Sequence, residues 1–179
     1  MKKSRLIVLF FFFAAGFWSC KEEDIPGIAY TQQGFIRGTI VGIASDGTPL
    51  DEDFNYTHHL AYAQNSFSAY RIETDGSVIV NVYRKDFTTS GDATLTILLE
   101  SETDTDPQIA FDLTYAGGGD ELVRFTTNGI NPVLLSNFTL DFTTGRLTGA
   151  FIMENPDNTS GNPAIVQGEF DVLLSKVVL

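Results

Sequence analysis

The stretch Gln108-Ile109-Ala110-Phe111-Asp112-Leu113-Thr114-Tyr115 puts Ile, Phe, Leu and Tyr at every second position, with Gln, Ala, Asp and Thr between them. Successive side chains of an extended chain point to opposite faces, so only a strand gathers those four apolar groups on one side. The period recurs in Leu95, Ile97 and Leu99, in Phe138, Leu140 and Phe142, and in Val166, Phe170, Val172 and Leu174. Half-buried antiparallel strands are the expectation. Turn signals separate them: Ser45-Asp46-Gly47, Asp75-Gly76, Ser90-Gly91-Asp92, Gly117-Gly118-Gly119-Asp120, Asn128-Gly129, Thr144-Gly145 and a loop over 155–163. Strands are predicted near 34–44, 53–63, 68–74, 77–85, 93–100, 108–116, 121–127, 136–143, 146–154 and 164–177. The gaps are too short for parallel crossovers, which need about a dozen intervening residues. No stretch after residue 20 carries a helical period. The predicted fold is all-β, an antiparallel β-sandwich of about ten strands, with a closed, lipocalin-like β-barrel as the alternative.

The chain has 179 residues and a net charge of −12, with one cysteine, two histidines and 23 Asp and Glu. Residues 34–179 are read as one domain with one core. A single cysteine forms no internal disulfide, so apolar burial and sheet hydrogen bonds must hold the fold. An acidic surface repels polyanions, which excludes nucleic acid as a partner.

The start of the chain carries a different signal. Lys2, Lys3 and Arg5 precede an apolar or small-residue run over 6–18, and Cys20 follows it. Thirteen helical residues span only about 20 Å, short of a hydrocarbon core of about 30 Å, so the run reads as a signal peptide rather than a membrane span. Cys20 with the small Ser19 before it resembles the lipobox of bacterial lipoproteins, which implies cleavage before the cysteine, whereas Phe17 and Trp18 are bulkier than that pattern usually has; an ordinary signal peptide cut after Gly16 is the alternative. Residues 1–19 are accordingly assigned to the signal and 20–33, with Pro26 and Gly27, to a linker. Without residues 1–19, eight cations face 23 acids, a net charge of −15.

Cys20, followed by Lys21-Glu22-Glu23-Asp24, resembles the lipid-bearing cysteine and Lys-acidic-acidic export signal of Bacteroidota outer-membrane lipoproteins. The pattern of residues 137–151 and 166–172 is similar to the closing hairpin and final strand of uncharacterised lipoproteins of that group. The resemblance implies acylation at Cys20, attachment to the outer membrane through that lipid, and display at the cell surface. More than one acyl chain holds a protein stably on a bilayer.

Residues with chemical potential are few. His58 and His59 are adjacent in a predicted strand and point to opposite faces, so they cannot share a metal or a substrate. No Gly-x-Ser-x-Gly turn supports a nucleophile, and Gly117-Gly118-Gly119 precedes a strand pattern rather than the helix that a phosphate loop needs. Glu100, Glu102, Asp104 and Asp106 alternate; extended they make an acidic stripe, looped they are candidate oxygen ligands for calcium. Asp46, Asp51, Glu52 and Asp53 form a second acidic cluster, and Asp157 with Asn155, Asn158 and Asn162 a third. None has the spacing of an EF-hand. Tyr56, His58, Tyr62, Tyr70, Tyr83 and Phe87 are candidate ligand contacts, with core packing as the alternative for the rings.

The sequence therefore predicts a protein without catalysis, lipid-anchored and surface-displayed, with a role in binding, adhesion or assembly and a glycan or a surface protein as partner. A glycan or small-molecule binding module is the first alternative and a hydrolase of unknown type the second.

Overall fold

In the computed structural model the described residues are 34–57, 68–86, 89–116, 122–127 and 132–177, and all their regular structure is β. One sheet contains β1 (Gly34–Ile43), β2 (Pro49–Tyr56), β8 (Leu134–Asp141), β9 (Arg146–Glu154) and β11 (Ala164–Leu173), in the order β2-β1-β11-β9-β8. The other contains β3 (Ala69–Ile72), β4 (Val78–Lys85), β5 (Asp92–Leu99), β6 (Gln108–Ala116), β7 (Leu122–Thr126), β10 (Asp157–Asn158) and β12 (Ser175–Val177), in the order β10-β7-β6-β5-β4-β3-β12. Both sheets are open, so the sandwich holds and the closed barrel does not.

The founding stretch is strand β6. Phe111 and Leu113 are fully buried, while Ile109 and Tyr115, nearer its ends, are partly buried against the same core. Phe111 meets Phe151 of the facing sheet with ring centroids 4.6 Å apart, and Phe151 lies parallel to Phe170 at 6.5 Å. Glycine makes room for these rings. A Cβ on Gly149, opposite Phe170 in the β9–β11 register, would sit 2.5 Å from the Phe170 Cζ. At the Gly38–Gly168 pair of β1 and β11 the backbones approach so closely that a Cβ on Gly38 would overlap the Gln167 carbonyl and lie 2.7 Å from the Gly168 Cα.

The Asp-Gly turns fold as their chemistry dictates. Asp75 Oδ1 accepts from the Ser77 backbone N–H (3.0 Å) and hydroxyl (2.7 Å), Gly76 takes φ 90°, and Glu73 N–H donates to the Ser77 carbonyl at 2.8 Å. Asp46-Gly47-Thr48 repeats the arrangement, with Gly47 at φ 84°. These hydrogen bonds hold the Asp46 and Asp75 carboxyls below the usual carboxylate range.

The structure departs from the predicted strands in three places. The predicted strand over 53–63 begins earlier, at Pro49, and its described part ends at Tyr56; Pro49 is tolerated because it opens an edge strand. The loop over 155–163 contains the short strand β10 on β7. The final predicted strand divides at Leu174, whose N–H donates to the Gly145 carbonyl at 2.8 Å, and the chain crosses to the other sheet. There β12 runs parallel to β3, so that sheet is mixed rather than wholly antiparallel.

Candidate binding groove

The β5–β6 connection and strand β8 enclose a groove of about 480 Å³. Residues 102–107 form one wall and residues 134–140 the other, with Leu99, Ile109, Val133 and Phe142 at its apolar base. A strand shows alternate residues to alternate faces, so a cleft lined by seven consecutive residues of β8 must run along its open edge. β8 is the terminal strand of its sheet, and its register on β9 breaks between Ser136 and Thr139, where Asn137 takes φ 53°. This is a β-bulge, which bends and twists an edge locally.

Three of the four alternating acids, Glu102, Asp104 and Asp106, line the groove, and its lining includes no Lys or Arg. Their roles differ. Asp104 Oδ2 accepts from the Glu100 N–H and its Oδ1 from the Asp106 N–H, both at 2.9 Å, and these bonds hold its carboxyl below the usual range. Asp104 therefore fastens the turn, while Glu102 and Asp106 are exposed. The extended stripe does not form, because residues 100–107 connect β5 to β6 as a turn. Among the described residues no group of three or more His, Cys, Asp or Glu is placed to hold a metal ion.

The candidate tyrosines part company. Tyr56 and Tyr70 are each only 3% exposed, so their rings are core and do not make a sugar-stacking platform. The Tyr56 hydroxyl donates to the Thr114 carbonyl across the sandwich at 2.9 Å; burial, then the charges of Tyr115, Asp86 and Asp92, push its pKa up. Tyr70 serves the groove indirectly. Its hydroxyl donates to the Phe142 carbonyl at 3.0 Å and its ring meets Phe142 edge-on at 5.6 Å, which steadies part of the apolar base. Tyr83 is half-buried, its hydroxyl 3.3 Å from Asp92 Oδ2, and burial followed by the Asp92 charge pushes its pKa up to about 12. Cys20, Lys21, Glu22, Glu23, Asp24, His58, Tyr62 and Phe87 lie outside the described residues.

The other acidic clusters are absorbed by the fold. Asp46 belongs to its turn, Asp51 and Asp53 are exposed on edge strand β2, and Glu52 accepts from the Tyr115 hydroxyl at 3.0 Å. Asn158 donates to the Pro156 and Asn162 carbonyls, and Asn162 donates to the Ala44 carbonyl at 2.9 Å, tying the 155–163 loop to the end of β1.

Two features escaped the sequence reading. Arg84 is 1% exposed, its Nη1 donating to the Ser68 hydroxyl and to the Tyr83 carbonyl (2.7 Å), and burial pulls its pKa down to about 10. The signal was present, since Arg84 continues the inward phase of Val78, Val80 and Val82. The groove itself had no such signal, because its walls lie some thirty residues apart in the chain.

No family model and no curated protein matches this chain.

Proposed function

We propose that the chain is a lipid-anchored protein of the outer membrane, displayed at the cell surface, with a non-catalytic role in binding or assembly exercised through the groove beside β8. The groove carries the binding part of this reading: an apolar base under a carboxylate rim suits recognition of a ligand that brings both apolar surface and positive charge. The leader carries the address. Lys2, Lys3 and Arg5, the apolar run over 6–18, Cys20 and Lys21-Glu22-Glu23-Asp24 fit a lipoprotein of the Bacteroidota type. High negative charge disfavours contact with anionic lipid, so the reading places attachment in the acyl chains.

Labelled palmitate supplied to cells expressing the full chain tests the anchor. The wild type should incorporate label and the Cys20→Ala variant should not; equal labelling of both refutes acylation at Cys20. Protease added to intact cells tests display. Degradation of the wild type, and protection when Lys21, Glu22, Glu23 and Asp24 are all replaced by Ala, is the expected pair of results.

A further inference from the structure

We infer that the free edge of β8 accepts an extended, Lys- or Arg-bearing segment of a partner protein as an added strand, seated in the groove with its cations on Glu102 and Asp106. This deepens the binding reading above and rests on the groove alone, independently of acylation at Cys20.

Among the described residues β8 pairs only with β9, so its other side presents backbone N–H and C=O groups to the groove. Such an edge is a template for another strand unless something blunts it. The bulge at Asn137 interrupts it in one place and leaves residues 134–136 in regular register with β9. The groove follows residues 134–140 of β8, and the regular stretch beside the bulge, residues 134–136, spans about 10 Å at about 3.3 Å per residue, enough to pair three extended residues.

The lining selects the occupant. Carboxylates sit above an apolar base, and a Lys or Arg side chain satisfies both, laying its methylene stem over Ile109 and Phe138 while its charged head reaches the rim. The same lining disfavours self-association, because a second copy brings a net charge of −12 to an acidic slot. Charge complementarity therefore points to a different, basic protein segment.

Fluorescently labelled peptides of about eight residues, titrated against the full chain in detergent, test this. The parent alternates Lys and Val. Two derivatives carry N-methyl groups on all the valines or on all the lysines; alternate N–H groups leave opposite edges of a strand, so only one derivative loses the N–H groups facing β8. A fourth peptide alternates Glu and Val. Saturable binding of the parent is expected, with about tenfold weakening for one N-methyl derivative and little change for the other. The Glu peptide should not bind, and Glu102→Gln with Asp106→Asn should weaken the parent severalfold and flatten its salt dependence. Equal binding of both N-methyl derivatives and the parent overturns strand addition, as does binding of the Glu peptide or failure of the parent to saturate. None of these results bears on palmitate labelling, so the two readings fail separately.

Discussion

Gly149→Ala puts one methyl group where the structure has a ring. The added Cβ would lie 2.5 Å from Phe170 Cζ and 3.1 and 3.2 Å from its Cε atoms. Phe170 is 1% exposed and lies parallel to Phe151, which itself meets Phe111 of the facing sheet, so the ring has no open side into which to retreat. Overpacking of this kind costs about 1–3 kcal/mol, and the lower unfolded-state entropy of Ala returns about 0.4–1 kcal/mol. A net loss of about 1–2 kcal/mol remains, which for a domain of this size lowers Tm by about 2–8 °C. Thermal unfolding followed by circular dichroism measures it. Gly149→Ala combined with Phe170→Leu should be less destabilised than the two single losses added together, with a coupling of about 1 kcal/mol. An unchanged or raised Tm for Gly149→Ala, or strict additivity in the double variant, would refute the claim that the glycine exists to seat the ring.

Gly168→Ala should cost more than Gly149→Ala, because its Cβ would overlap the Arg37 carbonyl, and backbone yields less than a ring; urea midpoints rank the two. Asn137→Val should destabilise by about 1–2 kcal/mol, since φ 53° suits Asn and Gly but not a β-branched residue, whereas Asn137→Gly should be nearly neutral in the same assay. The lowered carboxyls of Asp46, Asp75 and Asp141 contribute stability that is fully present above their ordinary value of 3.8 and is lost as pH falls through their lowered values. Asp75→Asn should therefore flatten the acid limb of a Tm-against-pH curve. Tyr83 and Tyr115, pushed up to about 12 mainly by burial, contribute stability present below 10.0 and lost as pH rises towards 12. Absorbance titration at the tyrosinate band should show phenols ionising later in the folded protein than in urea, and Tyr83→Phe should reduce that difference.

The strands were legible because a period of two encodes which face a residue occupies. β6 and β9 fall where the alternation ends and the turn residues begin, at Gln108–Ala116 and Arg146–Glu154. Which strand neighbours which is not written in that period. Nothing in residues 164–177 announces that the chain changes sheets at Leu174; the crossing is fixed by backbone bonds to Gly145 and Ser68, made by groups every residue has. The site suffered for the same reason. Alternating acids over 100–106 look like a strand face, yet two backbone N–H groups captured by Asp104 make them a turn, and only the fold brings that turn to β8. Tyr56 and Tyr70 carried the ambiguity of any alternating aromatic residue, which sequence leaves open and burial decides.

The order β2-β1-β11-β9-β8 has a temporal consequence. Strands β3 to β7 succeed one another as a meander and β1 pairs with β2 as a hairpin, whereas the other edge of β1 is closed only by β11, from Gly34↔Val172 to Gly42↔Ala164. Pairings so distant along the chain form slowly. The sheet that holds β1 and β2 thus closes only when residues 164–173 are in place, whereas most pairings of the other sheet join neighbours in the chain.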